Sequence, residues 1–177
     1  MKRFAYFAFI FLSIISSAQE NKTGIPIPMK AGIVFYEMAI GVNKTIPSQK
    51  FLANATKWLN TSFPGSKEKV TIDKKTNTIT SNIEFKVITD EVAGHYYWIK
   101  PLLTIQLRND SCVLQLYNYY EKPIMPGVTN DYSKIEYRWW DFRKGKPWNK
   151  EDDALFHGLD NKSEELEKSF GDFMQKL

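Results

Sequence analysis

The sequence of 177 residues contains one cysteine, Cys112, and two histidines, His95 and His157. A single cysteine excludes a disulfide within the chain and any zinc site built from several cysteines. The two histidines have no cysteine or histidine at ligand spacing, so we expect no metal centre. The nine glycines form no phosphate-binding loop, and no serine lies in a Gly-x-Ser-x-Gly elbow. We therefore expect no cofactor and no catalytic motif.

The remaining reactive side chains offer little chemistry. The acidic run from Glu151 to Asp153 lacks the residue order of an EF-hand calcium loop. Cys112 falls in a predicted strand, where we expect a buried and unreactive thiol. One pair of carboxylates, Glu136 and Asp141, is of the kind that a glycosidase uses as acid and base, but no other feature supports this activity.

No hydrophobic run approaches the ~20 residues that a membrane-spanning helix needs. The longest run, residues 4–15, follows Lys2 and Arg3 and precedes the small residues 16–18. This order is typical of a secretory signal peptide and predicts cleavage after residue 18. Because no cysteine lies near the cleavage point, we expect no lipoprotein anchor. The sequence thus predicts a soluble protein exported to the periplasm or the cell surface, with no membrane span after cleavage.

An excess of charge of one sign is also missing from the mature chain. Without Lys2 and Arg3, 22 of the 24 basic residues remain against 20 acidic ones, which gives a net charge of +2. The charges are unevenly distributed, because residues 150–177 hold eight acidic and four basic side chains. So small a net charge in an exported protein predicts no nucleic-acid partner.

The first part of the mature chain predicts a strand followed by a helix. Residues 19–30, with prolines at 26 and 28, read as a flexible lead-in. Residues 31–41 are rich in β-branched and aromatic side chains and predict a strand. Residues 45–63 predict a helix, with Thr45 as its cap and Pro47 in its first turn. Its apolar stripe consists of Phe51, Leu52, Ala55, Trp58, Leu59 and Phe63.

Antiparallel strands are predicted for the middle of the chain. Polar and apolar residues alternate in residues 78–88, as expected for a strand with one buried face. Pro101 predicts an edge position or a β-bulge, because proline cannot donate to a sheet. Asn109, Asp110 and Ser111 are typical turn residues and predict a turn between two strands. The predicted strands are residues 69–73, 78–88, 95–108 and 112–120.

The last part of the chain predicts an irregular insertion and a closing helix. Pro123, Pro126 and Gly127 interrupt residues 121–160, which we interpret as irregular apart from a short strand within residues 132–142. Asn161 and Glu164 resemble a capping box at the start of a helix over residues 161–177. The order strand, helix, strands, helix predicts one α+β domain over residues 31–177, with a mainly antiparallel sheet and two amphipathic helices packed on one face.

Four segments, in this order, carry a resemblance to a known family. They are the strand 32–37, the helix end 57–60, the alternating strand 78–87 and the hairpin 103–119. Together they resemble an exported, Bacteroidetes-type domain family of unknown function with a TBP-like fold. The resemblance implies that fold and supplies no catalytic residues. Although the fold takes its name from the TATA-box-binding protein, a shared fold does not imply DNA binding.

One segment, residues 132–148, interleaves aromatic rings with basic side chains. Such rings can stack on sugars or on partner aromatics, and Trp, Tyr and Arg dominate the energetics of many interfaces. The alternative is that these rings cover an edge or a face of the sheet. The candidate binding surface is Tyr137, Arg138, Trp139, Trp140, Arg143 and Trp148.

These observations favour an exported, non-enzymatic binding or interaction module whose partner is an envelope glycan or protein. A small hydrolase of envelope glycans or peptides is one alternative, and a purely structural envelope protein is another. Converging Asp, Glu or His side chains in a pocket would favour the hydrolase. An exposed aromatic surface without such groups would favour the binding module.

Overall fold

The computed structural model describes residues 27–41, 46–65, 70–108, 111–138 and 149–175. These residues form an α+β structure with a mainly antiparallel sheet, which confirms the predicted fold class. The elements are β1 (Met29–Lys30), β2 (Ile33–Gly41), α1 (Ser48–Ser62), β3 (Val70–Asp73), β4 (Thr78–Asn82), β5 (Phe85–Asp90), β6 (His95–Leu107), β7 (Ser111–Ile124), β8 (Ser133–Lys134) and α2 (Lys150–Met174).

The sheet is built around the long strands β6 and β7. The strand order is β1-β2-β7-β6-β4-β3, while β5 also pairs with β6 and β8 with β7. Each of these pairings is antiparallel. In the centre, Leu103 lies opposite Leu116 and Ile105 opposite Leu114. The predicted strand over residues 78–88 is therefore divided into β4 and β5, which pair with different halves of β6.

A β-bulge interrupts the register of β6 and β7 at Pro101. On either side of the bulge the paired residues are Lys100–Tyr120 and Leu102–Tyr117, so β7 holds one extra residue. Asn118 of β7 has a φ of 55°, in the left-handed region that asparagine tolerates better than most residues. Of the two alternatives predicted at Pro101, an edge position or a bulge, the bulge is present, with the extra residue in the partner strand. The bulge reverses the alternation of β7. Even-numbered residues face the core before Asn118, and odd-numbered residues face it afterwards.

One hydrophobic core joins the two helices to the same face of the sheet. The stripe predicted for α1 is buried except for Phe63, which is partly exposed. Trp58 of α1 packs on Phe170 of α2, with ring centroids 4.9 Å apart. From the sheet, the hydroxyl of Tyr36 donates to Asp160 and that of Tyr119 lies 2.9 Å from Ser163 Oγ. In the part of the chain that the structure describes, no helix is long and apolar enough to cross a membrane.

Helix α2 begins eleven residues before the predicted start, so the capping box at Asn161 is wrong. The true cap is Asn149, whose side chain accepts hydrogen bonds from the backbone N–H groups of Glu151 and Asp152. The Asp152 side chain in turn accepts from the backbone N–H of Asn149. Gly158 lies inside the helix where it passes over β5, and a Cβ at this position would clash with Cγ1 of Val87. Glycine therefore lets the helix and the sheet approach closely.

Three other boundaries differ from the predictions. The stretch predicted as irregular, residues 121–160, is shortened at both ends, because β7 runs to Ile124 and α2 starts at Lys150, while β8 lies within the short strand predicted for residues 132–142. The lead-in is shorter than predicted, because Ile27 is buried and Met29–Lys30 pairs with β2. Helix α1 starts after Pro47 without a side-chain cap, and Thr45 lies outside the described residues, as does the predicted signal peptide.

Candidate functional site

The sheet face away from the helices carries aromatic and basic side chains. Successive side chains of a strand point to opposite faces, so Tyr97 and Ile99 enter the core while Tyr96, Trp98 and Lys100 point to the other side. The same alternation exposes neighbouring side chains of β5 and β7. We call the following six residues the lysine–aromatic face: Lys86, Tyr96, Trp98, Lys100, Lys122 and Tyr132.

The sheet register places Trp98 between two lysines. Lys86 of β5 lies opposite Trp98, and Trp98 lies opposite Lys122 of β7. Since neighbouring strands are about 4.8 Å apart, these three side chains form one row across the sheet. Tyr96 meets Trp98 edge-on, with ring centroids 6.0 Å apart, and Lys86 Nζ lies 3.8 Å from the centroid of Tyr96. The rings and the cations therefore share one compact, partly exposed surface.

Tyr132 reaches this surface from the segment between β7 and β8. Its ring lies over two lysines, with its centroid 3.9 Å from Nζ of Lys100 and 5.6 Å from Nζ of Lys122. Its hydroxyl donates to Glu84, which is also 3.7 Å from Nζ of Lys100. Burial and the bond to Glu84 raise the pKa of Tyr132, so the hydroxyl stays protonated as a donor. These contacts hold the Tyr132 ring against the open face.

A smaller aromatic pair extends the surface toward β2. Phe35 and Tyr117 are cross-strand neighbours with ring centroids 6.0 Å apart. Lys30 Nζ lies 4.6 Å from the centroid of the Phe35 ring. The hydroxyl of Tyr117 is 3.4 Å from Oγ1 of Thr104, which fixes the outer end of this ring. Rings beside lysines therefore recur along the open face.

The positive charge of the face is only partly balanced. Lys100 pairs with Glu84, but among the described residues no carboxylate lies within ion-pair distance of Lys86 or Lys122. Most of the acidic side chains of the last segment are on α2, on the other side of the sheet. The open face thus presents two uncompensated ammonium groups on either side of Trp98.

The structure separates the residues of the candidate surface chosen from the sequence. Tyr137 has 60% of its surface exposed and is free to contact a partner. Arg138 points inward, where its Nε donates to both carboxylate oxygens of Glu121 at 2.6 and 2.7 Å. Its other nitrogens donate to Asp152 at 2.6 Å and to the hydroxyl of Tyr97 at 2.9 Å. Arg138 therefore joins the sheet to α2 and is not free to orient a ligand.

The remaining four residues of that surface lie outside the described residues, and their role stays a prediction. They are Trp139, Trp140, Arg143 and Trp148.

The electrostatics around Arg138 are those of a buried ion pair. Burial acts to lower the pKa of Arg138, but the Glu121 carboxylate outweighs it, and the net shift is upward. Burial raises the pKa of Glu121, and Arg138 opposes this shift only in part. Burial also raises the pKa of Tyr97 to about 12, so its hydroxyl remains protonated at neutral pH. This cluster stabilises one end of the sheet through contacts that exclude solvent.

The groups considered for catalysis are engaged in other contacts. Glu136 is buried and accepts a hydrogen bond of 3.1 Å from the backbone N–H of Val34, while Asp141 lies outside the described residues. Cys112 is fully buried, and burial raises the pKa of its thiol to about 12. Over the described ranges, no three His, Cys, Asp or Glu side chains are arranged to hold a metal ion.

The lysine–aromatic face was not predicted, although the alternation of residues along the strands indicates most of its members. Residues 96, 98 and 100 alternate with the core residues Tyr97 and Ile99, and Lys86 alternates with Phe85 and Val87. The contribution of Lys122 was hidden by the bulge in β7, which changes the face on which residues after Asn118 lie. Tyr132 reaches the face through a connection whose path no periodicity reveals.

Two solved structures share this fold. The first is a TBP-like protein from Parabacteroides distasonis, with a TM-score of 0.58 and 15% identity over 81% of this chain and 96% of that protein. The second is a DUF4468 family protein from Bacteroides ovatus, with a TM-score of 0.52 and 16% identity over 85% of this chain and 84% of that protein. No family model and no curated protein matches the sequence. The predicted resemblance to Bacteroidetes domains with a TBP-like fold is thus confirmed, and at these identities it shows the fold alone.

Proposed function

We propose that this chain, with the TBP-like fold of two Bacteroidetes proteins, is a non-enzymatic module that binds an envelope glycan on its lysine–aromatic face. The observation that carries the proposal is the row Lys86, Trp98 and Lys122, in which a partly exposed indole lies between two cations. The role also depends on export, which the N-terminal sequence pattern predicts.

The chemistry of the face suits a sugar better than a protein surface. One side of a pyranose ring presents C–H groups that pack on an aromatic ring, and its hydroxyls accept hydrogen bonds from ammonium groups. The core of a protein interface is depleted of charge and shields its anchor residues from water. Here lysines lie directly beside Tyr96 and Trp98, so the pair of rings is bordered by solvated charges.

The placement of the carboxylates supports a binding role over a hydrolytic one. Glu121 and Asp152 are buried against Arg138, and Glu136 is bonded to the backbone of β2. On the open face, Glu84 is engaged by Tyr132 and Lys100. A glycosidase needs two carboxyl groups facing one scissile bond, and these side chains are committed to internal contacts.

The test is Trp98→Ala, measured by affinity electrophoresis and calorimetry against a panel of neutral and acidic polysaccharides. We expect at least a tenfold loss of affinity for every glycan that the parent binds, because the stacking ring is removed. Lys57→Ala is the control, since it removes an exposed side chain from α1, on the other side of the sheet, and we expect it to bind like the parent. Equal affinity of the folded Trp98→Ala variant, or no binding of any glycan by the parent, would show the proposal to be wrong.

A further inference from the structure

Resting on the proposed glycan binding, we infer that the glycan is acidic, a polysaccharide whose sugars carry carboxylate groups. Lys86 and Lys122 flank Trp98 and have no carboxylate partner among the described residues. In the free protein, Lys86 lies over the ring of Tyr96 and Lys122 over that of Tyr132. Exposed contacts of this kind are worth about 0.5–1 kcal/mol, so an anion can compete for both ammonium groups.

The spacing of the two lysines fits a repeating charge. They lie on the two strands next to β6, so their backbones are about 10 Å apart across the sheet. A linear polysaccharide of uronic acids carries one carboxylate on each sugar, and it can therefore engage both lysines while a sugar between them stacks on Trp98. A neutral glycan would stack on the ring of Trp98 but would leave Lys86 and Lys122 without an anionic partner.

The residue type also favours a polymer over a single small acid. Arginine recognises one carboxylate by two parallel hydrogen bonds, whereas lysine is a point charge on a flexible stem. Within the lysine–aromatic face all the cations are lysines. Lysines tolerate small shifts of each carboxylate, and this tolerance suits a chain with many equivalent acidic groups.

Two other occupants of this face differ in charge. The segment 139–148 of the chain itself holds Arg143, Lys144 and Lys146 against Asp141, a net charge of +2, so the lysines repel it. The acidic helix α2 of a second copy does have the right sign. Self-association through this face is therefore a separate outcome of the test.

The experiment compares two polymers that share one backbone, polygalacturonate and its fully methyl-esterified form. Calorimetry of the purified protein at low salt should give at least tenfold tighter binding to the acidic polymer, and the difference should shrink in 1 M NaCl, where charges are screened beyond about 3 Å. The double variant Lys86→Gln with Lys122→Gln should lose most of the preference and keep residual binding through Trp98. The matched control, Lys50→Gln with Lys57→Gln, removes the same charge from the exposed side of α1 and should retain the preference.

Each of the other possible results would refute a specific claim. Equal binding of the two polymers would refute the acidic glycan and leave the glycan-binding function standing, whereas binding of neither would refute both. Equal affinity for inorganic polyphosphate would show a general polyanion surface and overturn the assignment to a glycan. Salt-sensitive dimers in sedimentation that the Lys86 and Lys122 substitutions abolish would assign the face to a second copy and overturn the inference.

Discussion

Arg138→Met distinguishes an arginine that stabilises the fold from one that binds a ligand. Methionine retains an apolar stem of similar length and removes the guanidinium. The substitution leaves Glu121 and Asp152 facing each other without a cation, at side-chain exposures of only 5% and 6%. The hydroxyl of Tyr97 also loses its donor at 2.9 Å.

The expected loss of folding stability follows from the carboxylates that remain buried without a cation. Removing one partner of a buried ion pair costs about 3–5 kcal/mol, because the other charge stays desolvated. A typical domain has a free energy of unfolding of about 5–15 kcal/mol, so the loss is a large share of the total. The Arg138 side chain is only 22% exposed, so screening by solvent reduces the expected loss of stability only slightly.

The loss should also depend on pH. Burial already raises the pKa of Glu121 above its ordinary 4.5, and the absence of Arg138 raises it further. A carboxyl whose folded pKa is raised stabilises the fold below its unfolded pKa, and this contribution disappears as the pH rises through the folded pKa. The deficit of Arg138→Met should therefore be smaller at pH 5 than at pH 7.

Urea denaturation followed by tryptophan fluorescence at both pH values measures these quantities. Lys162→Met is the control, because its pairing with Glu165 is exposed and such pairs contribute at most about 1 kcal/mol. A loss below about 1 kcal/mol for Arg138→Met at pH 7, or a deficit that grows on acidification, would refute the reasoning. Arg138 would then return to the set of candidate binding residues.

Three further predictions concern the core, the helix cap and processing. Trp58→Ala should cost about 3–5 kcal/mol in urea denaturation, because the ring is 2% exposed and packs on Phe170; a loss under about 1 kcal/mol would contradict this packing. Asn149→Ala should lower the free energy of unfolding by about 1 kcal/mol, because two N–H groups of α2 lose their acceptor, and unchanged stability would argue against the capping box. Mass spectrometry of the protein from its native host should find Gln19 as the first residue, whereas an intact Met1 would disprove cleavage of the signal.

The beginning of α2 shows why part of the fold was misread. Asn149 and Asp152 have the spacing of a capping box, and Leu155, Phe156 and Leu159 continue at helical spacing. Gly158 reads as a break in this pattern, since glycine destabilises a helix interior by roughly 1 kcal/mol relative to alanine. Glycine is needed at position 158 because the helix approaches Val87 of β5 closely. Asn161 and Glu164 have the same spacing as Asn149 and Asp152, so the capping rule alone could not decide where the helix begins.

Periodicity by itself determined much of this protein. The stripe of α1 and the alternation of β4 to β6 predict which side chains are buried, because a helix repeats every 3.6 residues and a strand every two. These patterns are local, so they appear in the sequence without knowledge of the partner surface. The same alternation places Tyr96, Trp98 and Lys100 opposite the core residues of β6.

Only the tertiary structure decided the partners of those side chains. The register brings Lys86 and Lys122 to the two sides of Trp98, and the bulge at Asn118 determines which residues after it share that face. Arg138 lies 17 residues from Glu121 in sequence, and their pairing depends on the path of the chain through β8. Pairings between strands and across loops depend on which segments meet after collapse, and no single segment carries that information. The lysine–aromatic face is therefore a product of strand register, just as the burial of Arg138 is a product of chain topology.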